Sequence, residues 1–304
     1  MIPVLDWRRF AGGSDAEGFV ADLGAACRGP GFFLLRHHGV DHGLIADTFA
    51  AADSVFALPE AEKRRLSIST NPHNRGWTGP EDERLDETRP EPDRKEAFNI
   101  GLDLAPADPR VLAGEPFRGP NLWPDLPGFR DVSLRYFAAV LNLGRTLHRA
   151  IAADLGLPEG FFVDKFVAPL ATLRMLHYPG GGGAGLGAGA HTDYGSLTLL
   201  MTDGEPGLEV RPRGGDWIEV PHVEDAFVVN IGDCLMRWTN DLYASTPHRV
   251  RVPERPRRSM AFFLDPDPEA VIAPLPGTGT PKYPPIASSD YLHARLSATY
   301  ETQS

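Results

Sequence analysis

His191-Thr192-Asp193 places an imidazole and a carboxylate two positions apart. In an extended strand, residues i and i+2 project from the same face, so both side chains can reach one ion while Thr192 points away. Two protein ligands hold a catalytic metal poorly, and a third is expected from elsewhere in the chain. His248, 55 positions after Asp193 in Ser245-Thr246-Pro247-His248-Arg249-Val250, is the candidate. Two imidazoles and one carboxylate on one face leave adjacent coordination positions open, the arrangement of non-haem iron(II) oxygenases. The same donors also serve zinc.

His-x-Asp recurs by chance, and His222-Val223-Glu224 has the same form. That second copy follows Pro221 between two strand-like segments and reads as an exposed turn. Arg257-Arg258-Ser259, nine positions after His248, separates the readings. At strand spacing Arg257 and Ser259 share a face, and a guanidinium grips a carboxylate through two parallel hydrogen bonds. One strand beyond a metal ligand, the pair suits the far carboxylate of a small dicarboxylic acid. A zinc hydrolase leaves it without a job.

These side chains need a scaffold, and the composition supplies one. The chain has 304 residues, 42% hydrophobic, with a formal net charge of -11. Such a surface repels nucleic acid and anionic lipid, so any anionic substrate must be met by a local cationic group. No run approaches the roughly 18 apolar residues of a membrane span, and Met1 to Asp6 shows no signal peptide. Cys27 and Cys234 lie far apart and read as two buried thiols. A soluble, cytoplasmic monomer is expected.

Pro3 to Asp6 reads as an entry strand and Ala16 to Cys27 as a helix stopped at Gly29-Pro30-Gly31. Phe32 to Leu35 reads as a buried strand, and helical patterning runs from His42 to Leu66, with Pro59 opening a new helix. Asn71 to Asp93 reads as irregular, and a long helix is expected from Gly128 to Leu155. After residue 168 the texture becomes short apolar segments between turns: Thr172–Tyr178, Ser196–Met201, Leu208–Arg211, Trp217–Val220, Phe227–Ile231, Arg249–Val252 and Met260–Leu264. That pattern predicts a sandwich or barrel. Gly180 to Gly189 reads as a flexible loop, since a phosphate cradle would need a helix after it and a strand follows. The tail from Asp265 is Pro-rich, then helical at Asp290–Tyr300. The expectation is an α+β chain with a jelly-roll core, one domain over 1–304: helix-rich 1–165, metal-binding core 166–265, and a tail 266–304.

With these residues assembled, the chain resembles the isopenicillin-N-synthase-like family of iron(II) and 2-oxoglutarate-dependent oxygenases over nearly its whole length. The resemblance is carried by Gly31 to Val40, Lys95 to Gly101, His191 to Leu200, Gly207-Leu208-Glu209-Val210, Trp217-Ile218, Val229-Asn230-Ile231-Gly232-Asp233, His248-Arg249-Val250 and Arg257-x-Ser259, in that order. It implies a double-stranded β-helix core flanked by helices, iron held by His191, Asp193 and His248, and 2-oxoglutarate anchored by Arg257 and Ser259 with Tyr178 assisting. Leu176 stands where many relatives carry Asn.

The resemblance implies O2-dependent oxidation of a small metabolite with release of succinate and CO2, hydroxylation foremost, desaturation or cyclisation as variants. Arg75 is the candidate for a substrate carboxylate, since some relatives place such an Arg there, and Phe98, Trp123, Trp238 and Phe262 are candidate apolar walls. The alternatives are an iron(II) oxidase that does not use 2-oxoglutarate and a non-catalytic jelly roll that holds a metal or small acid.

Overall fold

The computed structural model describes residues 1–80, 82–86, 88, 91–183 and 185–301, the side chains of 298–301 excepted. Four positions of the polar Asn71–Asp93 segment, Ala184 of the glycine run and the last three of the tail therefore lie outside the described residues.

In chain order the first half carries β1 (Val4–Asp6), α1 (Arg8–Ala11), α2 (Ala16–Arg28), β2 (Phe32–Arg36), α3 (His42–Phe56), α4 (Glu60–Arg65), β3 (Gly76–Thr78), β4 (Glu96–Gly101), α5 (Pro109–Leu112) and α6 (Phe129–Asp154). The second half carries β5 (Ala171–Tyr178), β6 (Leu186–His191), β7 (Leu197–Thr202), β8 (Leu208–Val210), β9 (Ile218–Glu219), β10 (Ala226–Ile231), α7 (Asp233–Trp238), β11 (His248–Arg251), β12 (Arg257–Leu264), β13 (Val271–Ile272), β14 (Ile286–Ala287) and α8 (Ser288–Glu301).

The helices start where short polar side chains can satisfy free backbone N–H groups. Asp15 accepts from Gly18 N at the head of α2, and Asp41 from Leu44 N at the head of α3. Helix α6 buries a stripe that includes Tyr136, Val140, Leu147 and Ile151. Gly144 lets this helix approach the sheet closely, since a Cβ there would stand 2.5 Å from Leu264 Cδ2.

The large sheet runs β1-β2-β10-β7-β12-β5-β4-β3, and a smaller one runs β6-β11-β8-β9. The large sheet is buried on both faces. Phe33, Leu35, Phe227 and Val229 pack with the helices, whereas Phe32, Leu34, Ala226 and Val228 pack with Leu208, Val210 and Val250 of the small sheet. This accounts for the unbroken apolar run Phe32-Phe33-Leu34-Leu35. The two sheets form the expected jelly roll, and the site lies between them.

Three local expectations are corrected. The irregular stretch contains β3, because Gly76-Trp77-Thr78 pairs with Asn99-Phe98-Ala97 of β4. The glycine run is not loop throughout: Leu186–His191 is β6, paired with β11. Its glycines are required by close approach, since a Cβ on Gly187 would lie 2.7 Å from the Tyr178 ring and one on Gly189 2.6 Å from Asp86. Asp193 lies just past the end of β6, in the turn toward β7, so turn geometry and not strand alternation aims it.

Candidate active site

His191 closes β6 and His248 opens β11, directly opposite each other in the register. Their rings stand 4.3 Å apart between centroids. Asp193 Oδ1 lies 3.7 Å from His191 Nε2 and 3.5 Å from His248 Nε2. One ligand atom from each residue falls within 4.8 Å of the others, the one such group among the described residues.

Each side chain is tied on the side away from this point. His191 Nδ1 lies 2.7 Å from the Gly189 carbonyl oxygen, and His248 Nδ1 lies 3.2 Å from that of Thr246. A carbonyl only accepts, so each Nδ1 carries a proton and each Nε2 is the ring nitrogen turned toward Asp193 Oδ1. Asp193 Oδ2 accepts from Thr198 Oγ1 at 2.6 Å and Asn230 Nδ2 at 2.7 Å, leaving Oδ1 turned toward the imidazoles. Such outer hydrogen bonds orient metal ligands in general. Burial disfavours charge on Asp193, but the His248 and His191 imidazoles and the Thr198 hydroxyl hold its carboxyl well below the usual range. Burial and the neighbouring His248 push His191 down to about 4. Burial disfavours a charged His248, but Asp193 beside it raises it above its ordinary value. Two imidazole nitrogens and one carboxylate oxygen converge, with the cavity on their open side; the donor set fits a divalent first-row metal, which would take the place of any proton between His248 and Asp193.

That cavity is about 200 Å³. Its wall on the large sheet carries Arg257 and Ser259 of β12 and Tyr178 of β5. Arg257 is 1% exposed, yet among the described residues no carboxylate pairs with it. Its Nε donates to the Glu205 carbonyl at 3.2 Å, Nη1 to Ser259 Oγ at 3.3 Å, and its guanidinium lies 5.1 Å from the Tyr178 ring centre. A buried guanidinium with spare donors beside a hydroxyl has the chemistry to receive a carboxylate. Leu176, the departure noted above, lines the cavity beside it and offers no hydrogen bond.

The decoy His222-Val223-Glu224 lies outside any strand, with His222 and Glu224 exposed. Both cysteines are free and buried.

The chain matches the family model described as 2OG-Fe(II) oxygenase superfamily over residues 170–266, and the model described as non-haem dioxygenase in morphine synthesis N-terminal over residues 2–126. It is 35% identical to a 2-oxoglutarate-Fe(II) type oxidoreductase of Emericella nidulans, over 98% of this chain and 90% of that one. The chain belongs to the 2OG-Fe(II) oxygenase superfamily. Among solved structures this oxygenase is similar to a full-length Neurospora crassa protein in complex with alpha-KG and thymine, at 32% identity and TM-score 0.87, covering 98% of this chain and 97% of that one. It is also similar to a dioxygenase for auxin oxidation in rice, at 31% identity and TM-score 0.78, covering 98% and 96%. The cofactors of this oxygenase are therefore iron(II), 2-oxoglutarate and O2, and its reaction is the oxidation of a small molecule.

The side chains expected around a substrate do not line the oxygenase cavity. Phe98 and Phe262 project from the helix side of the large sheet, packed edge-on against Phe129 and Phe137. Trp238 is buried among Phe162 and Phe166, and Trp123 leans on Phe129. Arg75 lies beneath β4, where a Cβ on Gly101 would collide with its guanidinium. Their chain neighbours Asn99, Phe263 and Asn74 face the cavity instead, joined by Arg84, Asp265 and, from α8, Leu292 and Leu296. One signal was available: counting by twos from Arg257 and Ser259 reaches Phe263, not Phe262. The sequence predicted the helix at Asp290–Tyr300 but marked neither its Leu292 and Leu296 nor Arg84 as cavity lining.

Proposed function

We propose that this chain is a 2-oxoglutarate-dependent dioxygenase in which His191, Asp193 and His248 hold the iron, Arg257 and Ser259 bind the distal carboxylate of 2-oxoglutarate, and Tyr178 flanks it. Bound iron(II) would supply O2 activation, coupling decarboxylation of 2-oxoglutarate to succinate and CO2 with oxidation of the substrate, hydroxylation foremost. The single observation that carries this reading is the convergence of three ligand atoms. Both Nε2 atoms and Asp193 Oδ1 face one point while every other polar atom of the three side chains is already bonded.

The protein's own part is positional. Backbone carbonyls fix the tautomers, Asn230 and Thr198 fix the carboxylate, and the Arg257 receptor sets how deep the co-substrate enters. Leu176, Leu208 and Val250 surround that end with apolar surface, which strengthens the charge-assisted bonds to Arg257. The Neurospora relative is solved with thymine and the rice relative is a dioxygenase for auxin oxidation, which supports a small-molecule substrate. We take residues 1–304 as one catalytic domain: helix-rich 1–165, core 166–265 and tail 266–304. No described helix is long and apolar enough to cross a membrane; a cytoplasmic monomer that does not bind nucleic acid is consistent with this and with the net charge of -11.

The test is anaerobic titration of iron(II)-loaded protein with 2-oxoglutarate. A weak visible charge-transfer band is expected in the parent and not in His191→Ala. Unaltered spectra in the parent at saturating 2-oxoglutarate would overturn the assignment.

A further inference from the structure

The end of the cavity away from Arg257 carries one cation too many. Glu83, Arg84, Lys95 and Arg174 all line it. Glu83 is matched twice, by Arg174 at 2.5 Å and Lys95 at 3.2 Å, and Lys95 also meets Asp93 at 2.5 Å. Burial disfavours a charged Glu83, but Arg174 and Lys95 hold its carboxyl down to about 2, so it stays ionised. Asp93 accepts from Gly189 N and Leu85 N as well, which fastens this loop to the strand that bears His191. Among the described residues, three cations thus face two carboxylates, and Arg84 is the one left over. Its Nε is buried with no hydrogen-bond partner, and no described carboxylate pairs with it. Asp265, also on the cavity wall, stands against Gly195 beside the metal ligands.

A second unmet atom faces the same space. Asn99 is 1% exposed, and its Oδ1 has no partner, while its Nδ2 is directed at the Asn74 carbonyl. A buried guanidinium nitrogen and a buried amide oxygen left unpaired each cost free energy unless a ligand completes them. The sequence-wide negative charge sharpens the point, since an acid substrate gains nothing from the outer field and needs a cation inside.

Resting on the oxygenase reading above, we propose that the prime substrate is a small carboxylic acid whose carboxylate is received by Arg84, with Asn99 Oδ1 accepting from an O–H or N–H of the same molecule. One spare charge balances a monoanion, and a planar guanidinium fork matches a carboxylate. A phosphate monoester, largely dianionic, would need a second free cation. Arg84 is the specificity-determining residue that sequence reading had sought at Arg75.

The experiment measures anaerobic calorimetric binding of matched acid and amide probes to the iron(II)- and 2-oxoglutarate-loaded protein: phenylacetate against phenylacetamide, and 3-hydroxybenzoate against 3-hydroxybenzamide, with phenyl phosphate as the dianionic arm. The acids are expected to bind about tenfold or more tightly than the amides, as a charge-assisted pair requires. That preference should fall to within about twofold in Arg84→Gln and persist in Arg84→Lys, on the same scale of charge-assisted bonding. Absence of an acid preference in the parent, including absence of acid binding, overturns the proposal. So does a preference that survives Arg84→Gln, or tighter binding of phenyl phosphate than of the acids. The affinity for 2-oxoglutarate, measured alongside, is expected to be equal in parent and Arg84→Gln. Failure of the parent to bind it would sink the oxygenase reading, while the acid–amide comparison would still read Arg84. That comparison in the parent needs no variant to fold.

Discussion

Asn230 Nδ2 lies 2.7 Å from Asp193 Oδ2, bridging the middle of the large sheet to the turn that follows β6. Asn230 is a buried amide in an otherwise apolar strand, Ala226 to Ile231, and this bond gives it its place. Together with the Thr198 hydroxyl it decides which carboxylate oxygen the imidazoles see.

Removing that bond should loosen the metal while sparing the fold. Thr198→Val and Asn230→Ala are each expected to weaken iron(II) binding by about 10–100-fold, the usual range for outer-shell partners. Competition against a chromophoric chelator measures it; unaltered affinity in both variants would show that the carboxylate holds its aim without them.

Arg257→Ala should raise the dissociation constant for 2-oxoglutarate by about 10–100-fold, the scale of hydrogen bonds to a charged group. Arg257→Lys should be impaired as well, since an ammonium cannot reproduce the two-pronged geometry. Because no described carboxylate pairs with Arg257, its loss leaves no orphaned negative charge, and the melting temperature is expected to shift only a little. Titration by charge-transfer absorbance and a thermal melt read the two effects separately.

Gly187→Ala should injure the co-substrate end from a distance. The new methyl would sit 2.7 Å from the Tyr178 ring, and a ring edge cannot give way as a flexible chain end can. A cost of about 1–3 kcal/mol is expected for such overpacking, with weaker 2-oxoglutarate binding. An unaltered denaturation midpoint would mean that β6 shifts freely.

Acid should weaken the fold through His148. This imidazole is buried, with Nε2 2.8 Å from Ser196 Oγ and Nδ1 2.8 Å from the Gly144 carbonyl, and burial pushes it down to about 4 from 6.5. The unfolded chain therefore takes up the proton first as pH falls. The stabilisation is complete above pH 6.5, declines as pH drops toward 4, and levels off below that, a loss of about 3 kcal/mol across the window. His148→Gln should flatten that slope by about one proton. Urea denaturation at several pH values between 4 and 7 makes the comparison.

Much of this molecule was legible before folding. His191, Asp193, His248, Arg257 and Ser259 stood out because their chemistry is carried by residue type, and the turn residues between apolar segments marked the strands that bring them together. Helices α2, α3 and α6 announced themselves by the period of their apolar residues, and α2 by its stop at Gly29-Pro30-Gly31.

Which way the strands of the large sheet face was a different matter. A sheet buried on both sides carries apolar residues at every position, so alternation vanishes and neighbouring residues cannot be told apart by hydrophobicity. Asn99 and Phe98, like Phe263 and Phe262, differ by one step in the chain and lie on opposite sides of the sheet. Charge balance was equally hidden: Arg84 is conspicuous only once Glu83, Asp93, Lys95 and Arg174 are seen to pair and leave it out. Residue identity determined the chemistry available to this chain. Packing decided which side chains share the cavity, because burial and pairing are properties of neighbours in space and not of order along the backbone.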